Sequence, residues 1–284
     1  MIKIGFNVLA WTANVSDELM PIADRLKKIG YAGVECFIGS VDAAAYKRFG
    51  RHARSIGLET TAVFVVGKDT NPVDSAPAVR DNALDHIKWA IDRTHDLQGS
   101  ILCGPMHSAH AAFSRQPARE DEYKWCAEVL HAAGEYAAQA NVTLALEALN
   151  RFECYLCNTM DQLSYLVSKV NHSNVKAMYD THHSNIEEKK ITSAIEKISP
   201  FLHHVHISEN DRGTPGTGHI LWDETYAALA TFKYQGWLTI EAFSRHDPDF
   251  ANAINVWREY DNPWEIAEKG YAFIEEMCQV HGLR

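Results

Sequence analysis

Short apolar runs with the character of β-strands alternate with longer amphipathic stretches from one end of the chain to the other. The runs are rich in β-branched and aromatic residues, and the stretches carry apolar residues at three- and four-residue spacing. The predicted strands are Lys3–Val8, Gly33–Phe37, Glu59–Val66, Ser100–Cys103, Thr143–Ala148, Val175–Tyr179, His203–Ile207 and Leu238–Ala242. The clearest predicted helices are Asp17–Ile29, Ala43–Ile56, Pro77–Asp96, Glu120–Ala140 and Leu221–Phe232. This alternation predicts parallel strands joined by helices.

Eight strand–helix units in a chain of 284 residues are typical of a (β/α)₈ barrel, the TIM barrel. The composition shows no break and no linker, so we predict one domain over residues 1–284. A longer helical segment is expected from about Trp264 onward. The alternative is a doubly wound open sheet. That fold normally has a glycine-rich first turn, and the segment GFNVLAW after the first run is not of that kind.

Charge and cysteine content narrow the possible partners and the compartment. The formal net charge of −10 argues against a nucleic-acid surface, which needs clustered Lys and Arg. The N-terminal segment is too short to span a membrane and lacks a cleavage-site pattern, so we expect a cytoplasmic protein without a membrane anchor. The six cysteines are then expected to be reduced. Cys154 and Cys157 have metal-site spacing, but a zinc site would need a second such pair.

Four side chains of metal-ligand type follow one another at the ends of the last four predicted strands. They are Glu147, Asp180, His206 and Glu241. Because the C-terminal ends of parallel strands meet on one face of a barrel, these groups are expected to converge. Three converging carboxylates repel one another unless a positive charge lies between them. The simplest such charge is a divalent metal ion.

Taken singly, each of these residues has a structural explanation as a buried ion-pair partner or a core histidine. The joint pattern is harder to explain in this way, because burying an uncompensated charge costs several kcal/mol in order of magnitude. One imidazole and three carboxylates form a hard, oxygen-rich set of ligands. Such a set favours Mn²⁺, Mg²⁺ or Co²⁺ over metals that prefer thiolates, although Zn²⁺ remains compatible with it.

A metal ion in this setting suggests chemistry next to a sugar carbonyl group. It polarises the C=O bond and stabilises the enediolate that forms when a neighbouring proton leaves. Carboxylates on opposite sides of that carbon would remove a proton from one face and return one to the other, which is epimerisation. A single base that works on one face would instead interconvert an aldose and a ketose.

Several motifs in chain order resemble those of the D-tagatose 3-epimerase and D-psicose (allulose) 3-epimerase family. They read Asn150-Arg-Phe-Glu153, Asp180-Thr-His-His183-Ser-Asn-Ile-Glu-Glu188, His206 to Arg212, Pro215-Gly-Thr-Gly218, Glu241-Ala-Phe243 and the VWRE segment Val256–Glu259. The resemblance spans nearly the whole chain, and its motifs are dense.

The resemblance implies a xylose-isomerase-like TIM barrel that binds Mn²⁺, or a similar ion, through Glu147, Asp180, His206 and Glu241. It implies that Glu147 and Glu241 are also the catalytic acid and base. The same resemblance assigns substrate binding to further residues, namely Glu153, His183 and Arg212 at the sugar oxygens and Phe243 in the pocket wall. A small-molecule sugar is the implied substrate, and a homodimer or homotetramer is the implied assembly.

The chain departs from the family pattern in the loops after the first and fourth strands. Family members with ketohexose activity tend to carry Tyr and Trp in the first loop, and here only Trp11 matches. The loop after the fourth strand lacks a Trp that is often found there and carries His107 instead. We expect Trp11, Asn7 and His107 to line the pocket, with Asn7 and His107 near the end of the sugar away from the metal.

The leading hypothesis is a metal-dependent inversion at C3 of a free ketose through an enediolate. Related reactions of the same superfamily remain as alternatives, namely 3-keto-glycoside epimerisation, hydroxypyruvate isomerisation and inosose dehydration. A DNA-repair nuclease of the endonuclease IV type would need further zinc ligands and a basic rim, against which the net charge of −10 argues. A non-catalytic sugar-binding protein is disfavoured by the two candidate bases.

Overall fold

Eight parallel strands close into a barrel in chain order, β1-β2-β3-β4-β5-β6-β7-β8, in a computed structural model that describes residues 1–258 and 261–283. The strands are β1 Lys3–Asn7, β2 Gly33–Phe37, β3 Glu59–Val63, β4 Ile101–Gly104, β5 Thr143–Leu146, β6 Val175–Asp180, β7 Leu202–Ile207 and β8 Trp237–Ile240. The predicted TIM barrel is therefore confirmed, and the open-sheet alternative is wrong. Glu259 of the VWRE segment lies outside the described residues.

Helices follow the strands and cover the outside of the barrel. They are α1 Leu19–Ile29, α2 Ala43–Ser55, α3 Pro77–Asp96, α4 Glu120–Gln139, α5 Met160–Val170, α6 Thr181–Glu187, α7 Ile191–Ile198, α8 Trp222–Thr231, α9 Pro248–Ala253 and α10 Pro263–Val280. The predicted C-terminal helical segment corresponds to α10. Among the described residues, no helix has both the length and the apolar character that a membrane span requires.

Four of the predicted strands extend too far at the mouth of the barrel. The runs predicted as Lys3–Val8 and Glu59–Val66 end as strands at Asn7 and Val63. The runs predicted as Thr143–Ala148 and Leu238–Ala242 end as strands at Leu146 and Ile240. Each following residue keeps one last backbone bond, since Glu147 N donates to Gly104 O at 3.1 Å and Glu241 N donates to Ile207 O at 3.2 Å. Beyond that bond the strands separate, and the two carboxylates therefore stand at the rim of the mouth.

Alternation along the strands sorts the barrel interior into layers, because residues two apart face the same side. The Trp237 side chain fills the lower layer. Gly33 leaves space for the Trp237 ring, since a Cβ on Gly33 would lie 2.5 Å from that ring. His204 pairs with Trp237 in the β7–β8 register, and His206 lies two residues further up. Asp180 is in turn the register partner of His206. The barrel thus stacks an apolar floor, a polar middle layer and an acidic mouth.

Candidate active site

The four ligand-type side chains predicted to converge do meet at the mouth of the barrel. All four are buried, and one ligand atom from each lies within 4.8 Å of the others. The Nδ1 atom of His206 is at the centre of the group. It lies 3.4 Å from Glu241 Oε1, 3.7 Å from Asp180 Oδ2 and 4.0 Å from Glu147 Oε1. We call these four residues the quartet.

Asp180 is oriented by the helix that it starts. Its Oδ1 atom accepts hydrogen bonds from the backbone N–H groups of His182 and His183, at 2.6 and 3.1 Å, as the N-cap of α6. An aspartate is a preferred N-cap because it satisfies N–H groups that the helix leaves unpaired. The cap occupies one carboxylate oxygen and fixes the rotamer. The other oxygen, Oδ2, faces the quartet.

Arg212 closes one side of the quartet with a fork of hydrogen bonds. Its Nη1 atom donates to Glu241 Oε2 at 2.8 Å and to Asp180 Oδ2 at 3.0 Å. The residue has a left-handed backbone, with φ of 65°.

The loop that carries Arg212 is organised by Glu209, a buried carboxylate that accepts hydrogen bonds from Gly216 N and Trp222 Nε1. The glycine-rich segment after β7 therefore shapes the loop around Arg212.

The pKa values around the quartet show that it attracts positive charge. Burial raises the pKa of Glu147 well above its ordinary value, and repulsion from Glu241 and Asp180 adds to the rise. Burial works in the same direction on the pKa of Asp180, but the charges of Arg212 and His183 outweigh it and hold that pKa well below the ordinary value. Burial would lower the pKa of His206, yet the charges of Glu241 and Glu35 raise it well above the ordinary value.

Two buried atoms of the quartet have no hydrogen-bond partner among the described residues. They are Glu147 Oε1 and His206 Nδ1, which face each other across the group. Unpaired buried polar atoms are costly, and their lone pairs are potential metal ligands. Three carboxylates and one imidazole suit a divalent cation that prefers oxygen ligands. The quartet therefore fits a divalent metal ion.

His183 and Glu153, two of the predicted substrate-binding residues, lie beside the quartet on the β5–β6 side. His183 Nε2 lies 3.6 Å from Glu147 Oε1 and 3.0 Å from Arg212 Nη2. Asn150 links the pair, because its side chain donates to Glu153 Oε1 at 2.8 Å and its backbone N–H donates to His183 Nδ1 at 3.1 Å. Sequence reasoning placed Asn150 only within a motif and assigned it no role.

Glu153 is partly buried and lies close to several cationic or hydrogen-bonding groups. Burial opposes its ionisation, but His110, His183 and Arg212 together hold the pKa of Glu153 well below its ordinary value. His110 Nε2 lies 3.4 Å from Glu153 Oε2, so the loop after β4 meets the loop after β5 at this point. A carboxylate that stays ionised is a suitable acceptor for sugar hydroxyl groups.

The remaining predicted pocket residues occupy different depths. The Phe243 ring lies 5.0 Å from the Arg212 guanidinium group and forms a wall beside it. Trp11 is 4% exposed and packs against Phe6 and Trp264, so it belongs to the core under the first loop.

Asn7 and His107 are also fully buried. The Asn7 side chain donates to Glu241 at 3.3 Å, while His107 Nε2 lies 2.7 Å from the Glu147 carbonyl oxygen. Both contacts are on the metal side of the mouth, and the approach of Asn7 and His107 to the far end of a sugar stays a prediction.

The middle layer contains a carboxylate that the sequence analysis overlooked. Glu35 on β2 is completely buried, and its neighbours include His204 and Cys103. A signal was present in the sequence, because a charged residue in the middle of the apolar run GVECF is unusual for a buried strand.

The six cysteines are all free and buried, which agrees with the expectation that they are reduced. Cys154 Sγ donates to the Cys157 carbonyl oxygen at 3.3 Å, and burial raises the pKa of Cys154 to about 11. A thiol with such a pKa is mostly protonated at neutral pH and a poor nucleophile. These contacts argue for a structural role of the CYLC segment in the loop after β5.

Comparison with known proteins agrees with this geometry. The model of the xylose isomerase-like TIM barrel family matches residues 23–276. The D-psicose 3-epimerase of Ruminiclostridium cellulolyticum is 32% identical over 211 residues, which are 74% of this chain and 72% of that protein. The L-ribulose 3-epimerase of Methylomonas sp. is 32% identical over 214 residues, 73% of each chain. A solved structure of an L-ribulose 3-epimerase has a TM-score of 0.92 and 26% identity, with 99% of this chain and 96% of that chain covered.

Proposed function

We propose a reaction for this protein from its family membership and its site. The chain belongs to the xylose isomerase-like TIM barrel family and, within it, to the ketose 3-epimerases. The resemblance carried by its motifs is confirmed, and the chain is an epimerase that acts on sugars. The finer proposal is that it inverts C3 of a free ketose, with a divalent metal ion, by removing and returning a proton through an enediolate.

The observation that carries the proposal is the pair of carboxylates Glu147 and Glu241. They directly follow β5 and β8, and both approach the same His206 Nδ1 atom, at 4.0 and 3.4 Å. Their surroundings differ, because Glu241 is ion-paired with Arg212 whereas Glu147 has a raised pKa and an unpaired Oε1 atom. Two carboxyl groups in unlike surroundings are typical of an acid and a base that share one substrate.

The quartet residues would hold the metal ion, which when bound polarises the substrate carbonyl group and offsets the charge that develops on its oxygen. The carboxylate of Glu241 would remove the C3 proton from one face, with Arg212 holding it in place. The Glu147 carboxyl group would deliver a proton to the other face, and the two roles exchange in the reverse direction. His183 and Arg212 would bind the neighbouring sugar oxygens, and Glu153 would accept from a hydroxyl group.

Turnover in D₂O tests the reaction. The Mn²⁺-loaded protein is incubated with D-fructose, D-tagatose, D-allulose, L-ribulose and a 3-keto-glycoside, and the products are analysed by NMR. We expect C3-inverted ketoses with deuterium at C3, because the proton held on a carboxylate exchanges with solvent. Aldose products with deuterium at C2, or inversion at C4 of the 3-keto-glycoside alone, would contradict the proposal and indicate a related reaction. Inverted product without deuterium would contradict the proton-exchange mechanism.

We further propose that the protein forms a homodimer or a homotetramer. Large apolar side chains on the loops after β5 and β8 support this, since Phe152 is 73% exposed and Trp257 is 69% exposed. Exposed large aromatic side chains are enriched in protein interfaces. Light scattering of the purified protein measures the mass, and a monomer across the micromolar range would contradict this proposal.

A further inference from the structure

The middle layer of the barrel centres on the carboxylate of Glu35, directly below the quartet. Five side chains surround its two oxygens. They are Asn7 at 3.0 Å, Thr61 at 2.9 Å, Cys103 at 3.3 Å, His204 at 2.9 Å and His206 at 2.8 Å. Glu35 is 0% exposed. Burying a carboxylate in a barrel interior is costly compared with an apolar residue of similar size, so its hydrogen bonds call for an explanation beyond packing.

Glu35 contacts the imidazole of His206 on the side opposite the quartet. Its Oε1 atom lies 2.8 Å from His206 Nε2, whereas Nδ1 faces the three carboxylates and has no hydrogen-bond partner among the described residues. When a cation occupies the quartet, the His206 imidazole is neutral and carries one N–H group, which the hydrogen bond to Glu35 places on Nε2. The lone pair of Nδ1 then points into the quartet, which is the tautomer that a metal ion requires.

Asn7 extends the influence of Glu35 to a second residue of the quartet. Its Nδ2 group lies 3.0 Å from Glu35 Oε1 and 3.3 Å from Glu241 Oε1. The Asn7 side chain cannot rotate freely, because its Oδ1 atom accepts from Leu9 N at 3.0 Å. One amide group therefore bridges the deep carboxylate and a carboxylate of the mouth.

We propose that Glu35 is a positioning residue, which fixes the tautomer and the ring orientation of His206 and, through Asn7, the placement of Glu241. This inference rests on the proposed metal site. It adds that metal binding also depends on a residue of β1 to β4, the half of the barrel that supplies no quartet residue. Glu35 acts through His206 and Asn7 and does not touch the substrate. Carboxylates that orient ligating histidines typically affect metal affinity by 10- to 100-fold.

The test compares Glu35→Gln with Thr61→Val. Both variants disturb the hydrogen bonds of the same carboxylate, but Thr61 donates to Oε2, the oxygen that does not contact His206. Titration calorimetry of the metal-free proteins with Mn²⁺ gives the dissociation constants. We expect one ion per chain, a dissociation constant about 10- to 100-fold weaker for Glu35→Gln, and a change below about threefold for Thr61→Val.

Three outcomes would overturn the proposal. They are an unchanged dissociation constant in Glu35→Gln, an equal weakening in both variants, and a second Mn²⁺ bound by the wild type but lost in Glu35→Gln, which would make Glu35 a ligand. A wild type that binds no Mn²⁺ would instead refute the metal site of the proposed function. The two failures are therefore distinguishable, and neither measurement depends on turnover.

A measurement on the wild-type protein covers the case in which Glu35→Gln does not fold. Long-range ¹H–¹⁵N correlation spectra of the Mg²⁺-loaded protein report which ring nitrogen of His206 carries the proton. We expect protonated Nε2 and unprotonated Nδ1. Protonation at Nδ1 would overturn the proposal, because the imidazole would then present the wrong nitrogen to the quartet.

Discussion

The two halves of the barrel mouth differ in the side chains that their strands present. The four residues of the quartet all lie at the C-terminal ends of β5 to β8. Asp180 and His206 are within the last two residues of β6 and β7, and Glu147 and Glu241 directly follow β5 and β8. Strands β1 to β4 end in neutral groups such as Asn7 on β1 and Phe37 on β2. In the layer below the mouth, the first half instead supplies the buried carboxylate, which is Glu35 on β2.

This difference indicates that the two halves of the mouth have different roles in the proposed reaction. The second half concentrates the ionisable groups to which the proposed function assigns metal binding and proton transfer. The first half holds those groups from below and from the side, through Asn7 on Glu241, Glu35 on His206 and His107 on the Glu147 backbone. Substitutions in the second half are therefore expected to change the chemistry, and substitutions in the first half to change affinity and stability.

The largest effect is expected from Glu241→Gln, which keeps the size of the side chain but removes its ability to accept a proton. We expect kcat to fall by about 10³-fold. Glu59→Gln is the matched control, because Glu59 begins β3 at the opposite end of the barrel and pairs with Lys3 at the surface. Steady-state epimerase assays compare the two. Equal losses, or residual activity above about a tenth in Glu241→Gln, would contradict the role of the second half.

Removal of the metal ion is expected to lower activity by at least about 100-fold and to loosen only one half of the mouth. Without a cation, the carboxylates of the quartet repel one another. At a metal concentration 100 times its dissociation constant, binding would stabilise the fold by about 2.7 kcal/mol. Hydrogen exchange before and after chelation locates the change. Faster exchange is expected in the loops after β5 to β8, and Mn²⁺ should restore protection.

Uniform loss of protection around the barrel after chelation would show that the two halves respond as one unit. Activity that persists after complete chelation would contradict the metal requirement itself.

A smaller effect is expected from Arg212→Lys. Lysine keeps the positive charge but cannot reproduce the planar fork that contacts Asp180, Glu241 and His183 together. We expect kcat/KM to fall by about 10- to 100-fold. The control is Arg151→Lys, since Arg151 makes a two-pronged ion pair with Glu187 at the surface. A change in the control as large as that in Arg212→Lys would show that the geometry at the quartet is not the cause.

The last prediction involves His107 in the first half and concerns stability, with no expected effect on catalysis at neutral pH. Burial lowers the pKa of His107 to about 4, against about 6.5 in an unfolded chain. Between these values the unfolded state binds the proton and the folded state does not, so stability is lost as the pH falls from about 6.5 to about 4. This residue should account for about 3 kcal/mol of that loss.

Urea unfolding of the wild type and His107→Gln at pH 7.5 and pH 4.5 measures this contribution. The variant should lose less stability between the two pH values, because glutamine does not titrate. An identical loss in both proteins would show that His107 is already neutral in the unfolded state or accessible to protons in the folded state.

The sequence was sufficient to predict the fold and the convergence of the quartet residues. Strand and helix periodicities are local signals, so the eight units and their order could be read directly. The positions of Glu147, Asp180, His206 and Glu241 at strand ends then required convergence, because parallel strands point the same way. The predicted C-terminal ends of β1, β3, β5 and β8 were too long, since strand ends depend on where neighbouring strands separate.

Tertiary structure alone decided how the quartet is supported. Asn7 contacts Glu241 across 234 positions of the chain, a contact that exists only because β1 pairs with β8. Burial of Trp11 between Phe6 and Trp264 likewise depends on how α10 packs under the first loop. The role of Glu35 depends on which strand faces place it beneath His206. The local sequence pattern determined which side chains lie at the mouth of the barrel. Closure of the barrel determined which other side chains contact them and hold them in place.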